Sequence, residues 1–189
     1  MAKLLENTYR HINIALVNEM ARFCYELDID LWDVIAAAKS KPFGFQAFYP
    51  GPGVGGHCIA VDPWFIVHGA AEQSRVIRTA REVNDAKMHH VLARATALAE
   101  ANPHTPIACL GLAFKANIDD FRESPARFVA ASLARTFGER VRVVEPYARQ
   151  LPLEFTDTGA RLVDIDTALE TCGVLIVLVD HDVFRVVPL

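Results

Sequence analysis

The stretch PIACLGLAFKANIDDFRESPARFVAASLARTFGERVRVVE, residues 106–145, decides the fold of this chain of 189 residues. Pro106–Leu112 is short and almost wholly apolar, and Val141–Glu145 is short and mostly apolar, as strands buried on both faces of a sheet are. Between them, Ser124-Pro125 predicts the start of a helix, because serine caps a helix N-terminus and proline suits the first turn. The order strand, helix, strand predicts parallel strands joined by a crossover helix.

The same alternation continues to the end of the chain. A helical turn is predicted at Asp166–Thr171 and a third apolar strand at Val174–Val179. We therefore predict an α/β protein whose second domain, residues 104–189, is a small Rossmann-like unit with a parallel sheet.

Residues 1–102 are predicted to form an all-helical domain. Asp30 is placed to cap a short helix at Leu31–Ala38, and Asp62-Pro63 to cap and start another. A long helix is expected from about Glu72 to Ala101. The first helix is marked by apolar residues every three or four positions, namely Leu5, Tyr9, Ile12, Leu16, Met20, Phe23 and Leu27.

Composition and charge exclude several classes of protein. With 52% hydrophobic and 22% charged residues, the chain is neither a disordered tail nor a collagen. A net charge of -4 without a basic cluster argues against nucleic-acid binding. The longest apolar run is the third strand, whereas a membrane span needs about 20 residues. No signal peptide is recognisable, so a cytoplasmic protein is predicted.

The densest local signal is Tyr49–Phe65, YPGPGVGGHCIAVDPWF. Closely spaced glycines let backbone N–H groups approach an anionic ligand, and a thiol directly after them can act as a nucleophile. That thiol is Cys58, and Asp62 would share its face in a helical turn. A tight structural turn with an incidental cysteine explains the same residues, so both interpretations stay open. The glycines are Gly51, Gly53, Gly55 and Gly56.

The spacing of Gly51, Gly53 and Gly56 also fits the dinucleotide fingerprint GxGxxG. That fingerprint follows an apolar strand, whereas FGFQAFYP precedes these glycines, so we reject a nicotinamide site in this loop. No metal site is predicted either, because no CxxC pair occurs and the histidines lack ligand spacing. The remaining cysteines, Cys24, Cys109 and Cys172, are expected to be small buried hydrophobes.

Two more groups of residues are chemical candidates. Lys3 and Asn7 are four residues apart on the first helix and could hold an oxyanion, although a solvated helix face is the simpler explanation. In the loop after residue 112, Lys115 and Arg122 could meet phosphate and Phe114 could pack on a base, or the loop is merely exposed and charged.

Taken together, GPGVGGHCIAVDPWF, the Lys3/Asn7 pair, RTAREVND (78–85) and GLAFKANIDDFRESPA resemble the UDP-sugar 6-dehydrogenase family over the whole chain. VDPWFIV, REVND and LVDHDVF are most similar to the branch that oxidises UDP-N-acetyl-D-mannosamine. PFGF and FYPGPG look more like the UDP-N-acetylglucosamine branch, so that sugar and UDP-glucose stay open as substrates.

The resemblance implies oxidation of the C6 alcohol of a UDP-sugar to a carboxylate with two NAD molecules. It implies that Cys58 attacks the C6 aldehyde to give a thiohemiacetal and then a thioester. Lys3, Asn7 and Asp62 would stabilise the oxyanions and manage the proton and the attacking water. The substrate-binding residues that it implies are Tyr49, Gly51, Gly53, Val54, Gly55, Gly56, Phe114, Lys115 and Arg122.

The resemblance also implies a homodimer through the helical domain. The family's amino-terminal NAD domain lies outside this sequence, so we expect the chain alone to bind UDP-sugar weakly without turnover. Two alternatives stay open: a non-catalytic dimer built on the first and third helices, and an NAD domain supplied by a separate polypeptide.

Overall fold

The computed structural model describes residues 1–185 and divides into two compact units, Met1–Lys87 and Met88–Leu189. The predicted second domain extends to residue 189, and its last four residues, 186–189, lie outside the described part. The predicted boundary between residues 102 and 104 stays a prediction.

The first unit consists of helices and one long loop. Helix α1 spans Ala2–Glu26, α2 spans Leu31–Lys39 and α3 spans Asp62–Gly69. Helix α4, Arg75–Ala101, begins in this unit and ends in the second. The Asp30 carboxylate accepts a hydrogen bond from the Trp32 backbone N–H at 2.7 Å, which confirms the predicted cap of α2.

Two predicted helix starts are wrong. Val61, not Asp62, occupies the N-cap position of α3, and Asp62 lies inside the first turn with its carboxylate turned to Asn7. Helix α4 begins three residues later than expected, because the preceding residues form a separate turn in which the Gln73 N–H donates to the carbonyl of Ala70.

Helix α1 turns polar side chains toward the rest of its unit. Asn7, His11 and Asn18 lie on one face and are buried, at 6%, 0% and 1% exposure. The apolar positions that define the helix in the sequence lie largely on the opposite face and are exposed: Leu5, Tyr9, Leu16 and Phe23. The helix is therefore amphipathic as predicted, but its apolar stripe faces away from the core of the unit.

The second unit contains a parallel four-stranded sheet in the order β3-β2-β1-β4. The strands are β1 (Ile107–Leu110), β2 (Val141–Val144), β3 (Arg161–Leu162) and β4 (Val174–Val177). Ile107 of β1 pairs with Val141 on one side and Val174 on the other. The predicted parallel α/β unit is confirmed. The edge strand β3 was not predicted, because a strand of two residues is too short to show an alternation of apolar and polar side chains.

Helices α5 (Pro125–Phe137) and α6 (Ile165–Thr171) complete this unit. The hydroxyl of Ser124 accepts from the backbone N–H of Arg127, so the predicted cap of α5 is confirmed. Buried alanine, valine and leucine side chains of α5 pack on β1 and β2 to form the main core of the unit. Within residues 1–185, no helix is both long enough and apolar enough to cross a bilayer.

Gly111, directly after β1, brings this strand end against β4. Its φ of +93° lies in the left-handed region, and a Cβ at this position would stand 2.5 Å from the Cβ of Val179. Only glycine fits, because any side chain would meet both backbone strain and a steric clash. The loop that follows β1 is thereby seated directly beside the end of β4.

We expect Gly111→Ala to lower the free energy of unfolding of the second unit by about 3 kcal/mol, from overpacking and the positive φ together. Urea unfolding followed by far-UV circular dichroism measures the loss. Gly44→Ala is the control for backbone strain alone, since Gly44 has a φ of +80° and a Cβ added there would have no neighbouring atom within 4 Å. Equal losses for the two variants would contradict the clash with Val179.

Candidate functional site

Cys58 lies at the start of a single helical turn. The backbone N–H of Asp62 donates to the carbonyl of Cys58 at 2.8 Å, so the two residues stand one turn apart, as the sequence hypothesis required. Cys58 is partly exposed, whereas Cys24, Cys109 and Cys172 are buried. Burial, with a smaller effect of Cys172, raises the pKa of Cys109 to about 12, which leaves that thiol unreactive.

Asn7 and Asp62 are brought together across α1 and α3. The side-chain amide of Asn7 donates to the Asp62 carboxylate with an Nδ2–Oδ2 distance of 2.5 Å. This bond fixes the amide with its nitrogen toward Asp62, and a second hydrogen on Nδ2 remains to be donated. Lys3 lies one turn earlier on α1, is exposed, and makes no ion pair within the described part of the chain.

A second side chain holds the same turn from α4. Arg81 donates from Nη1 to the carbonyl of Ala60 at 2.7 Å, and its guanidinium is itself held by Asp85 at 2.9–3.0 Å. Ala60 is 5% exposed, and a buried carbonyl without a partner would be costly. The turn that carries Cys58 is therefore fixed by α1 at one end and by α4 in its middle.

The glycine loop is tied to α1 through Asn18. The Gly51 N–H donates to Oδ1 of Asn18 at 3.0 Å, and Nδ2 of Asn18 donates to Oδ1 of Asn84 at 3.0 Å. Asn84 in turn donates to the carbonyl of His11 at 3.2 Å. Both asparagines are 1% exposed, so this chain of hydrogen bonds is shielded from water.

The remaining predicted residues of this loop differ in exposure. Tyr49 is half exposed and stacks on Trp32 of α2, with ring centroids 5.8 Å apart and an interplanar angle of 21°. Val54 and Gly56 are buried, and Gly53 and Gly55 are partly buried. An aromatic platform thus stands beside a loop with a shielded backbone.

His11 is fully buried one turn after Asn7, and neither ring nitrogen has a hydrogen-bond partner. Burial, with a smaller effect of the nearby Arg81 guanidinium, lowers the pKa of His11 to about 4, although Asp85 acts in the opposite direction. The imidazole is therefore neutral at physiological pH and takes part in the site only as a neutral group.

In the second unit the predicted ligand residues lie on the loop after β1. The Phe114 N–H donates to the carbonyl of Asp120 at 3.1 Å, which closes the loop on itself. Lys115 is exposed, while the guanidinium of Arg122 pairs with the Asp120 carboxylate at 2.6 Å. Lys115 thus presents its charge to solvent, and Arg122 is engaged by a neighbour within the loop.

Neither of the two loops that carry the predicted ligand residues, the Gly51–Gly56 loop and the loop after β1, fits a nicotinamide dinucleotide. The Gly51–Gly56 loop follows no strand, and its first N–H is taken by Asn18. The loop after β1 does follow a strand, but the N–H groups of Leu112 and Ala113 already donate to Glu145. Within residues 1–185, no three His, Cys, Asp or Glu side chains are grouped as metal ligands.

The sequence reasoning missed the residues that support the site. Asn18 and His11 are polar side chains at helical spacing from Asn7, which is a readable signal of a polar face. Arg81 lies inside the quoted RTAREVND stretch, but nothing in that stretch alone indicates its partner. Glu145 follows an apolar strand, where dinucleotide-binding folds carry an acidic residue.

Comparison with known proteins covers both units. Residues 1–86 match the central domain, and residues 108–189 the UDP-binding domain, of the UDP-glucose/GDP-mannose dehydrogenase family. The UDP-N-acetyl-D-mannosamine dehydrogenase of Salmonella typhi is 50% identical over 100% of this chain and 46% of its own length. An NDP-N-acetyl-D-galactosaminuronic acid dehydrogenase of Ralstonia nicotianae is 48% identical over 98% of this chain and 43% of its own length.

Solved structures agree with these sequence matches. The UDP-D-ManNAc dehydrogenase of Pyrococcus horikoshii superposes with a TM-score of 0.84 at 31% identity, over 100% of this chain and 43% of that one. The chain therefore spans less than half the length of the relatives that it matches.

We expect the stability of the first unit to fall with acidification between pH 6.5 and 4. The folded pKa of His11 lies below its ordinary value of 6.5, so protons bind the unfolded chain preferentially in this window. The pKa difference corresponds to roughly 3 kcal/mol at pH 4 relative to pH 7. Urea unfolding followed by the fluorescence of Trp32 and Trp64, both in this unit, measures it.

The His11→Leu variant should lose this part of the pH dependence, while His68→Leu, which replaces an exposed histidine of α3, should keep it. Parallel pH profiles for the unaltered chain and His11→Leu would contradict the assignment.

Proposed function

The chain belongs to the UDP-glucose/GDP-mannose dehydrogenase family, and on that basis we propose that it is the thiol-carrying and UDP-binding part of an NAD-dependent UDP-sugar 6-dehydrogenase. In this proposal residues 1–102 supply the reactive thiol and residues 104–189 bind the uridine diphosphate. The observation that carries it is the turn from Cys58 to Asp62, with Asp62 hydrogen-bonded to Asn7. A structural turn alone would not need a partly exposed cysteine one helical turn before a carboxylate that is held by an amide.

The proposed role of Cys58 is nucleophilic attack on the C6 aldehyde of the sugar. Addition of the thiolate gives a thiohemiacetal with a negatively charged oxygen, and after oxidation to a thioester, water releases the carboxylate and the free thiol. Amide and ammonium groups stabilise such oxyanions, and we assign these roles to Asn7 and Lys3. Asp62 is proposed to exchange protons with the thiol and to orient the water.

The oxidation itself needs an acceptor for two hydrides, because alcohol to carboxylate removes four electrons. NAD is the proposed acceptor, on the strength of the family resemblance. Since the described residues form no dinucleotide-binding loop, we assign the hydride transfers to no residue of this chain. All four cysteines are free thiols, which agrees with the cytoplasmic location that we also propose.

The proposed substrate is UDP-N-acetyl-D-mannosamine. Relatives bearing that activity in their names are 45–50% identical to this chain. The substrate-contacting residues that we propose are those of the glycine loop and of the loop after β1: Tyr49, Gly51, Gly53, Val54, Gly55, Gly56, Phe114, Lys115 and Arg122. UDP-N-acetylglucosamine and UDP-glucose are the competing sugars for the test below.

We expect UDP-N-acetyl-D-mannosamine to protect Cys58 from iodoacetamide. A ligand at ten times its Kd leaves about one site in ten free, so alkylation should slow about tenfold. Peptide mass spectrometry reports the labelling of each of the four cysteines in one sample. GDP-mannose at the same concentration is the matched control, because it differs from the ligand in base and sugar. The Cys58→Ser variant shows how much labelling does not come from Cys58.

Protection by UDP-glucose in place of the mannosamine derivative would correct the substrate assignment. Identical labelling of Cys58 with and without every UDP-sugar would overturn the proposed function, because the thiol would then lie outside a sugar-nucleotide site.

A second candidate function, dimerisation, is favoured by the outer face of α1. Leu5, Leu16 and Phe23 are 70%, 58% and 54% exposed along one stripe. An adjoining groove of about 500 Å³ between α1 and α4 is lined by Ile12, Leu16, Val76 and Val83 among others. We propose that a second copy of the chain covers this face, in agreement with the dimer that the family resemblance implies.

We expect light scattering to give twice the chain mass of 20.9 kDa for the unaltered protein and the monomer mass for Leu16→Glu. A carboxylate in the centre of an apolar interface cannot be solvated, so the dimer should dissociate. Leu98→Glu is the control, because Leu98 is 46% exposed in the second unit. A dimer that survives Leu16→Glu would show that another surface mediates it.

A further inference from the structure

The second unit contains a buried acid that the proposed mechanism does not use. Glu145 directly follows β2 and is 4% exposed. At this position dinucleotide-binding folds carry an acid that binds a ribose hydroxyl of the ligand. In this chain the carboxylate is instead turned inward, toward the loop after β1.

The carboxylate of Glu145 is satisfied mainly by backbone N–H groups. Its Oε2 accepts from Leu112 at 2.6 Å and from Ala113 at 3.2 Å, while its Oε1 accepts from Tyr147 at 3.0 Å. Successive N–H groups after the first strand are the place where Rossmann-type units bind a phosphate. Here the Glu145 carboxylate occupies that place, so a ligand phosphate has to be bound by other groups.

His181, which is 0% exposed, holds the far end of the same loop. Its Nδ1 accepts from the Asn117 N–H at 2.9 Å, and its Nε2 lies 3.4 Å from Oε2 of Glu145. A ring nitrogen that accepts a hydrogen bond carries no proton, so the proton is on Nε2, which is near the carboxylate but makes no hydrogen bond within the described residues. Asn117 is fixed further by two hydrogen bonds with Asp182, at 2.8 and 3.0 Å.

The pair therefore anchors the backbone on both sides of Phe114 and Lys115. Leu112 and Ala113 are held before these residues and Asn117 after them, while Lys115 itself is exposed. A short segment fixed at both ends keeps few conformations, so the direction of its side chains is set before a ligand arrives.

We propose that Glu145 and His181 are positioning residues for UDP binding: together they take the place of a ligand phosphate and hold the loop so that Lys115 meets the diphosphate. This inference rests on the proposed function, because it takes Lys115 as a UDP contact. It adds two residues of the second unit that determine the affinity of this unit for UDP.

A double-mutant cycle tests the proposal on the 189-residue chain, with UDP as the probe. Glu145→Gln keeps the shape of the side chain, but its single oxygen cannot accept from both the Leu112/Ala113 pair and Tyr147. Titration calorimetry should show UDP binding weakened about tenfold by Glu145→Gln and about tenfold by Lys115→Met, as for loss of one charge-assisted hydrogen bond. Glu170→Gln, which replaces an exposed acid of α6, should bind as the unaltered chain does.

The double variant separates an effect on UDP binding that acts through Lys115 from one that is independent of it. If Glu145 acts through Lys115, Glu145→Gln should weaken binding by less than about twofold in a chain that already carries Lys115→Met. If Glu145 affects UDP binding independently of Lys115, the two effects should multiply to about a hundredfold, and the inference is overturned. Unfolding curves of each variant verify that the titrations are made on folded protein.

Two further results complete the test. Should Glu145→Gln not fold, His181→Leu removes the acceptor at the other end of the loop, and the same coupling with Lys115→Met is expected. Tight UDP binding that Glu145→Gln leaves unchanged would overturn the inference and leave the proposed function intact. Absence of UDP binding to the unaltered chain would overturn the proposed UDP site and the inference with it.

Discussion

The buried amide of Asn18 is the constraint on which the first unit depends. At 1% exposure its donor must find Asn84 and its acceptor must find the N–H of Gly51, because an unpaired buried amide would be costly. These bonds set the register of α1 against α4 and the position of the glycine loop relative to both. The Asn7–Asp62 hydrogen bond, on the same face of α1, can then form in only one position. This bond in turn fixes the position of the turn that carries Cys58.

Both units use the same physical device, a buried or partly buried polar side chain that holds a backbone group. In the first, Asn18 and Arg81 take a loop N–H and a turn carbonyl. In the second, Glu145 and His181 take loop N–H groups. Such hydrogen bonds are directional and are strong in a low dielectric. They therefore restrict the conformation of a loop more than apolar packing does.

Much of the fold was predictable from the sequence because its signals are local. The 3.6-residue period located α1 and α4, Asp30 and Ser124 marked helix starts, and apolar runs gave three of the four strands. The Cys58–Asp62 spacing placed these two residues on one face on the condition that the segment is a helical turn, and it is one. What the sequence could not show is long-range: the period of α1 does not tell which face meets the core, and Asp62 looks like a cap because its partner lies 55 residues away. Glu145 was missed for the same reason, since two of its partners, Leu112 and Ala113, are brought to it only by the sheet.

The internal anion at the end of β2 restricts how this unit could be redesigned. Introducing the glycine spacing of a dinucleotide fingerprint after β1 would not by itself create a cofactor site. An incoming diphosphate would compete with the Glu145 carboxylate for the N–H groups of Leu112 and Ala113 and would be repelled by its charge. The first step of any such conversion is therefore removal of an acid, before any glycine is added, and the topology that this unit shares with nucleotide-binding folds does not make the two interchangeable.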